Sequence, residues 1–372
     1  MDAALLTSER FWRGVRPVAA GGGMPDLAGL EGLEGLDGLD GQVLFRSSGT
    51  TGEPKWVALS KDALQVSAAA VNAHLEVGRD SVWGLCLPVH HVGGFGVGAR
   101  AWQAGCGFAV YPGKWDAGEW GEWMAAARVT HSSLVPTQVH DVVRSGVRAP
   151  GTVRAIVVGG GRLEEWLGNE ARALGWPVLA SYGMTEAGSQ IATQGLDALE
   201  AAYCAAPIPV LPVWEVRAGA CLEISGGALF SGYVVRERGE WVFAKRAGDW
   251  FVTADRVEVS GAGLSPLGRA DGVVKVLGEL VDPEGIEREL LELAGGRLTP
   301  GGCVVVAVDD ERAGKRLVPV FEGGMVGMDE VLARYQKSAP GFRRLADPVV
   351  VDVFPRSPLG KVRRSELARM LG

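Results

Sequence analysis

From Gln42 onward, short apolar segments alternate with longer amphipathic segments, and this alternation restricts the chain to few architectures. The strand-like segments read QVLF, WVAL, VWGLCL, FAVY, AIVVG and VLASY, and helix-like patterns occupy 61–76, 95–104, 117–128, 137–145 and 163–174. Such alternation is typical of βαβ units and predicts a mostly parallel sheet. Ligands of these sheets bind at the loops that follow the carboxyl ends of the strands.

Two changes of pattern divide the chain. Residues 205–260 are rich in Pro and Gly with short β-like runs, which predicts an antiparallel sheet or a distorted barrel-like part. After Arg269 a compact α+β pattern begins, with helices at 283–294, 328–337 and 363–371. We therefore predict an α/β fold: a large N-terminal domain of layered, mostly parallel sheets, residues 1–268, and a small mobile C-terminal domain, residues 269–372.

Residues 21–41 repeat the triplet Gly-Leu-acidic four times from Gly29. Glycine at every third position disfavours a helix. We predict a tether or a loosely packed cover here, without a functional site.

Composition and charge exclude several classes of protein. The 372 residues are 47% hydrophobic with a net charge of -7, which predicts a packed core and argues against nucleic acid as a partner. The N-terminus has no secretory pattern, and no apolar run approaches the roughly 20 residues that span a bilayer. The five cysteines form no CxxC pair. We expect a cytoplasmic protein without membrane insertion; a homodimer is left open.

The stretch SSGTTGEPK presents hydroxyls, glycines and a lysine directly after a strand. Small residues expose backbone N–H groups, which bind phosphate oxygens well, and Lys55 adds a positive charge. The stretch is not a Walker A loop, and taken alone it could be an ordinary hairpin turn.

Six motifs in order resemble the adenylate-forming superfamily, which contains acyl- and aryl-CoA ligases and peptide-synthetase adenylation domains. They are SSGTTGEPK, LPVHHVGG (87–94), VVGGGRL (157–163), SYGMTE (181–186), GRADGVVKVLGELVDPEGIE (268–287) and PRSPLGKVRR (355–364). The resemblance covers about residues 42–372. It implies that ATP and a carboxylate form acyl-AMP with Mg²⁺, and that a thiol, coenzyme A or a carrier-protein pantetheine, then takes the acyl group.

The resemblance also implies site residues, which fall into three groups. Those that bind ATP and AMP are Ser47, Ser48, Gly49, Thr50, Thr51, Gly52, Lys55, Gly159, Gly160, Gly161, Tyr182, Gly183, Met184, Asp255 and Arg269. The catalytic residues are Lys361, His91, Thr185 and Glu186, of which Glu186 also binds Mg²⁺. His90, Asp271 and Gly278 serve the thiol and the hinge. The family pattern TGD reads Thr253-Ala254-Asp255 here, and Asp249 is a rival for the ribose carboxylate.

Two further strings, VPTQ and GSQ, resemble the o-succinylbenzoate–CoA ligase branch of this superfamily, which acts in menaquinone synthesis. The resemblance places Thr137, Gln138, Ser189 and Gln190 near the acyl pocket. Another acyl- or aryl-CoA ligase and a non-catalytic AMP-binding relative stay open as alternatives. A dinucleotide-binding dehydrogenase would rest on GFGVGA (94–99) alone, and the third glycine and the acidic residue that this motif requires are missing.

Overall fold

The computed structural model describes residues 2–20, 33, 36–47, 55–356 and 362–371, and for Ser47 the backbone alone. The chain divides into two compact units. The first contains residues 1–253 and 258–265, and the second contains residues 254–257 and 266–372. Within the described residues, none of the helices has both the length and the apolar character that crossing a membrane requires.

The strands of the described residues are numbered β1 to β21 in chain order, and the helices α1 to α9. The helices are α1 (Glu9–Arg13), α2 (Lys61–His74), α3 (Val92–Ala104), α4 (Ala117–Ala126), α5 (Pro136–Ser145), α6 (Glu165–Ala173), α7 (Pro283–Ala294), α8 (Met328–Ser338) and α9 (Arg364–Leu371). The strands up to residue 193 are β1 (Val18–Ala20), β2 (Gln42–Ser47), β3 (Lys55–Ser60), β4 (Val82–Leu85), β5 (Gly107–Val110), β6 (His131–Leu134), β7 (Ala155–Val158), β8 (Val178–Met184) and β9 (Ser189–Thr193).

The later strands are short and mostly antiparallel. They are β10 (Trp214–Ala218), β11 (Leu222–Gly226), β12 (Gly232–Glu237), β13 (Glu240–Lys245), β14 (Phe251–Val252), β15 (Asp255–Ser260), β16 (Gly263–Arg269), β17 (Val274–Val276), β18 (Glu279–Val281), β19 (Cys303–Asp310), β20 (Gly314–Glu322) and β21 (Val349–Val351). Short 3-10 helices occupy Ala3–Thr7, Thr185–Ala187, Leu196–Glu200, Ala270–Gly272 and Gly341–Arg343.

A largely parallel sheet forms the centre of the first unit, in the strand order β5-β4-β6-β7-β8-β9. Only the pair β8 and β9 is antiparallel within it. Helices α3 to α6 lie in the connections between its strands, because parallel strands need crossover connections. The predicted α/β fold class is confirmed, and the ends of β4, β7 and β8 lie at one edge of this sheet.

The polar sequence His-Ser-Ser-Leu forms β6, a fully buried strand that the apolar pattern does not predict. Each polar side chain of this strand has a partner. The Ser132 hydroxyl donates to the carbonyl of Gly84 at 2.7 Å, and the ring nitrogens of His131 lie 2.8 Å from the Thr130 hydroxyl and 3.3 Å from the carbonyl of Leu75. Burial lowers the pKa of His131 to about 4, so its ring is neutral at pH 7.

A second sheet in the first unit has the order β1-β2-β3-β12-β13. The phosphate-loop sequence connects β2 and β3, which pair as an antiparallel hairpin and not as strands of the parallel sheet. Leu33 and Leu39 are buried in a cluster with Leu44 and Val234 on this sheet. Of the predicted tether or loosely packed cover, the tether is wrong at these two positions, because both leucines pack on the sheet. Residues 21–32 and 34–35 lie outside the described residues.

The predicted barrel-like part is an open sheet among the described residues, with the order β10-β11-β14. In the second unit, β19 and β20 pair antiparallel and β21 adds parallel to β20. Helices α7 and α8 contribute Ile286, Leu290 and Val331 to its core. The element pattern expected after residue 269 is therefore present.

Residues near the N-terminus pack on α3. Leu6 is fully buried, and a Cβ added to Gly98 would lie 2.6 Å from the Leu6 Cβ and Cδ1 atoms. The Phe11 ring lies 6.0 Å from that of Phe95, and the Lys61 ammonium donates to the carbonyl of Phe11 at 2.6 Å. Glycine at position 98 therefore sets how closely the N-terminal segment approaches α3.

We predict that Gly98→Ala lowers the free energy of unfolding by about 1–3 kcal/mol, because the new methyl group overlaps Leu6. Leu6→Ala alone should cost about 2–5 kcal/mol through the cavity it leaves. The double variant should lose less than the sum of the two, since the removed side chain makes room for the added one. Chemical denaturation of the three variants measures these free energies.

Gly93→Ala in the same helix is the matched control, because the nearest atom to its added Cβ is Leu87 Cδ1 at 4.0 Å. This variant should be neutral or slightly stabilised, as alanine favours a helix by about 1 kcal/mol over glycine. Equal stability of the two alanine variants would contradict the close packing of Leu6 on α3.

Candidate functional site

Lys55 and Glu186, predicted to bind phosphates and Mg²⁺, meet at the side chain of Tyr233. The Tyr233 hydroxyl donates a hydrogen bond to Glu186 Oε1 at 3.0 Å. The Lys55 ammonium lies 4.1 Å from the centroid of the same ring. The backbone N–H of Phe230 donates to the carbonyl of Glu186 at 2.8 Å. The fold thus brings together two residues that are 131 positions apart in the sequence (186 − 55).

Burial raises the pKa of the Tyr233 phenol, and the negative charge of Glu186 raises it further. The phenol therefore keeps its proton and donates to the carboxylate throughout the neutral and alkaline range of an enzyme assay. The sequence motifs did not include Tyr233. The only signal for it was the alternation in GYVVRE, which marks a strand and not a site.

The other predicted nucleotide residues of the first unit lie at the carboxyl ends of two strands, and three of them belong to β8 itself and not to the loop expected there. They are Tyr182, Gly183, Met184 and Thr185 at the end of β8, and Gly159, Gly160 and Gly161 after β7. Because β7 and β8 are parallel neighbours, these residues share one edge of the sheet. Their individual roles stay predictions.

Gly183 lies at a register shift between β8 and β9. A Cβ at this position would lie 1.6 Å from the carbonyl oxygen of Ser189, which no other residue type avoids. Ser189 has a φ of 128°, a left-handed value that is costly for a residue with a side chain. The strands thus hold Ser189 in one strained conformation, as often occurs at functional sites.

The Ser189 hydroxyl accepts a hydrogen bond from Arg100, a residue of α3 that the motifs did not single out. Arg100 is 1% exposed; its guanidinium donates to the hydroxyls of Ser189 at 3.2 Å and Ser133 at 3.3 Å, and it lies 5.1 Å from the Trp83 ring. No carboxylate of the described residues pairs with Arg100. Burial lowers its pKa to about 9, so it remains a cation at pH 7.

A buried cation held by neutral hydroxyls is costly unless an anion joins it. The arrangement around Arg100 can therefore bind an anionic group of a ligand. The sequence contained a signal for this residue: Arg100 is the one charged side chain in the helix VGGFGVGARAWQA.

His90 and His91 lie at the start of α3 with their ring centroids 4.4 Å apart. Burial, together with the charge of the neighbouring His90, lowers the pKa of His91 to about 4. The Nε2 atom of His91 is buried and has no hydrogen-bond partner among the described residues. A neutral imidazole in this place can exchange a hydrogen bond with a ligand but supplies no positive charge.

The residues expected near the acyl pocket differ in their contacts. Ser189 contacts Arg100, whereas Gln138 accepts from the backbone N–H of Val135 at 3.1 Å and so caps α5. Gln190 accepts from the hydroxyl of Thr193, and Thr137 is half-buried in the first turn of α5. The two glutamines thus have structural partners, and direct contact of these four residues with an acyl group stays a prediction.

In the second unit, Arg269 connects the predicted ribose and hinge carboxylates. Its guanidinium donates to both oxygens of Asp271, at 2.7 and 2.6 Å, and to Asp255 at 3.3 Å. The carbonyl of Ala254, which replaces the family glycine, accepts from the backbone N–H of Ala270 at 2.7 Å. Gly278 lies between β17 and β18.

Several predicted residues lie outside the described residues. They are Ser48, Gly49, Thr50, Thr51, Gly52 and Lys361, together with the side chain of Ser47. The described parts of the chain contain no group of three or more His, Cys, Asp or Glu side chains that could hold a metal ion. A magnesium site at Glu186 would thus need oxygens from a nucleotide in addition to the carboxylate.

Comparisons with known proteins find relatives in sequence and in fold. The 2-succinylbenzoate–CoA ligase of Escherichia coli strain K12 is 29% identical over 297 residues, which are 78% of this chain and 62% of that ligase. This chain therefore spans less than two thirds of that relative. A solved structure of o-succinylbenzoate–CoA synthetase from Bacillus subtilis, in complex with the acyl-adenylate intermediate, superposes with a TM-score of 0.74 at 24% identity over 87% of this chain and 68% of that one.

A second structure of the Bacillus subtilis synthetase, with ATP and magnesium ion, gives a TM-score of 0.72 at 22% identity over 87% of this chain and 69% of that one. These structures share the fold of this chain. Residues 37–217 match the family described as AMP-binding enzyme, so the resemblance to the adenylate-forming superfamily is confirmed for this segment.

Proposed function

We propose that this protein is an ATP-dependent acid–thiol ligase. It activates a carboxylate as acyl-AMP and transfers the acyl group to coenzyme A. The family match, the meeting of Lys55 and Glu186 at Tyr233, and the Asp255–Arg269 pair support this proposal.

The burial of the Arg100 guanidinium is the observation that supports the choice of acid. The relatives are named for 2-succinylbenzoate, which has one carboxylate on a succinyl arm and another on the ring. If the succinyl carboxylate is activated, the ring carboxylate keeps its charge and needs a cationic partner. Arg100, buried and bonded only to serine hydroxyls among the described side chains, supplies a cation of the required kind. We therefore propose 2-succinylbenzoate as the acid.

In the first half-reaction, an oxygen of the carboxylate attacks the α-phosphorus of ATP and pyrophosphate leaves. We assign the β- and γ-phosphates to the loop 47–52 with Lys55, the adenine to Tyr182, the ribose to Asp255, and the developing charge to Lys361. Glu186 fits a magnesium site, because Oε1 is held by Tyr233 while Oε2 has no bond to any of the described residues. Bound magnesium would neutralise part of the phosphate charge.

In the second half-reaction, the thiolate of coenzyme A attacks the acyl carbon and AMP leaves. We propose that the C-terminal domain turns about a hinge at Asp271 between the two steps. Gly278 and His90 would then lie on the path of the thiol. The Arg269–Asp271 ion pair, with an Nη2 to Oδ2 distance of 2.6 Å, would have to adjust during such a rotation.

Two alternative hypotheses about the function make different predictions. Another acyl- or aryl-CoA ligase, or a ligase that uses carrier-protein pantetheine, would show the same half-reactions with a different acid or thiol. A non-catalytic AMP-binding relative would bind nucleotide without releasing pyrophosphate. The buried cation at Arg100 favours the dicarboxylic acid over simple fatty acids and benzoate.

We predict that Arg100→Met lowers kcat/KM for 2-succinylbenzoate by about 100-fold or more, since loss of one member of a buried charge pair costs roughly 2–5 kcal/mol. The same variant should change kcat/KM only slightly for 4-oxo-4-phenylbutanoate, which lacks the ring carboxylate. Pyrophosphate exchange with both acids measures this difference.

Arg144→Met, which alters an exposed arginine of α5, is the control and should leave both acids unaffected. An equal loss for the two acids in Arg100→Met would show that Arg100 supports the fold and does not bind the second carboxylate. Wild-type activity of that variant on 2-succinylbenzoate would refute its role as well.

We also predict that Lys361→Ala abolishes acyl-AMP formation, because the cation that stabilises the transition state of adenylation is removed. Thioester formation from supplied acyl-AMP should largely remain. ATP–pyrophosphate exchange and thioester release measure the two steps separately. Lys337→Ala, at an exposed position of α8, is the control, and retained exchange in Lys361→Ala would refute the assignment.

A further inference from the structure

Tyr233 contacts both charged residues of the candidate phosphate site, Lys55 and Glu186. It is the second residue of β12, which pairs antiparallel with β3, and it lies opposite Val57. Lys55 is the first residue of β3, two positions before Val57, so the pairing of β12 with β3 places Lys55 near the Tyr233 ring. Backbone pairing therefore brings the two residues close, and the Lys55 ammonium lies 4.1 Å from the ring centroid.

The same segment holds Glu186 at two points. The Tyr233 hydroxyl donates to Glu186 Oε1 at 3.0 Å, and the backbone N–H of Phe230 donates to the Glu186 carbonyl at 2.8 Å. The Phe230 ring packs on the Tyr233 ring with a centroid distance of 4.8 Å. Backbone and side chain of Glu186 are thus both oriented by residues 230–233.

The two charged residues contact different parts of the tyrosine. The ammonium of Lys55 lies over the ring face, where the π electrons attract a cation, and the carboxylate of Glu186 accepts from the hydroxyl at the ring edge. The hydrogen bond occupies Oε1, and Oε2 would be the oxygen that remains for a metal ion. Partners of this kind orient metal-binding carboxylates, and their loss weakens metal affinity by roughly 10- to 100-fold.

We propose that Tyr233 is a positioning residue for the magnesium–nucleotide complex, acting through the bond from its hydroxyl to Glu186. This inference rests on the proposed function, in which Glu186 binds magnesium. The Tyr233 ring has a second role, because its contact with the ammonium of Lys55 keeps that cation beside the magnesium–nucleotide complex.

Tyr233→Phe tests the first role, since it removes the hydroxyl and retains the ring under Lys55. We expect the magnesium concentration that gives half-maximal enhancement of ATP binding to rise by about 10-fold. ATP affinity measured in EDTA should stay within about twofold of the wild type. Calorimetric titration of the full chain with ATP, at a series of MgCl₂ concentrations and in EDTA, gives both values without turnover.

Tyr111→Phe is the matched control, because the Tyr111 hydroxyl is buried without a hydrogen-bond partner among the described residues. Its magnesium midpoint, the magnesium concentration that gives half-maximal enhancement of ATP binding, should equal that of the wild type. The pair Glu186→Gln and Glu186→Gln/Tyr233→Phe provides the second measurement. Glutamine has no negative charge to attract magnesium. Adding Tyr233→Phe to Glu186→Gln should therefore change the magnesium midpoint by less than twofold.

The outcomes separate the inference from the proposed function. A wild-type chain that binds no ATP with magnesium overturns both. Magnesium-dependent ATP binding by the wild type, with an unchanged midpoint in Tyr233→Phe, overturns the role of Tyr233 alone. An equal loss of affinity in EDTA and in magnesium also overturns it, because that result indicates a general packing role. A full additional shift in the Glu186→Gln background would contradict action through Glu186.

Discussion

The hydrogen bonds of the buried Arg100 guanidinium to Ser133 and Ser189 are the interaction on which the proposed chemistry most depends. A cation in the interior costs free energy unless polar groups and an anion surround it. Here the polar groups come from β6 and β9, strands of the central sheet. None of the described carboxylates reaches Arg100, so a ligand can supply the anion.

The surrounding packing maintains this arrangement from several directions. Helix α3, which carries Arg100, is covered by the N-terminal segment through Leu6 and the aromatic cluster at Phe95. Ser189 is fixed in a strained conformation by its close approach to Gly183. On the adjoining sheet, Tyr233 fixes Glu186 and Lys55 in turn. In both parts of the proposed site, strand residues therefore orient the charged side chains: Ser133 and Ser189 contact Arg100, and Tyr233 contacts Lys55 and Glu186.

The apolar pattern predicts the α/β class and most of the helices, because buried strands and amphipathic helices repeat with different periods. It does not predict β6, whose His-Ser-Ser sequence is buried through hydrogen bonds that only the folded neighbours provide. Arg100 and Tyr233 were missed for a related reason. Arg100 bonds to Ser133 and Ser189, which are 33 and 89 positions away, and Tyr233 bonds to Glu186, which is 47 positions away. Pairings over such separations cannot be read from local sequence. Leu33 and Leu39 likewise pack in a segment whose glycine-rich repeat predicted a tether or a loosely packed cover.

The transfer of ¹⁸O from the carboxylates of 2-succinylbenzoate tests acyl-adenylate formation most directly. When the carboxylate attacks the α-phosphorus and the thiol later attacks the acyl carbon, the bridging oxygen stays with the phosphate. We predict that AMP released with ATP, MgCl₂ and coenzyme A carries one ¹⁸O atom per molecule, as measured by mass spectrometry. Unlabelled AMP, or release of ADP and labelled phosphate in place of AMP, would contradict activation through acyl-AMP.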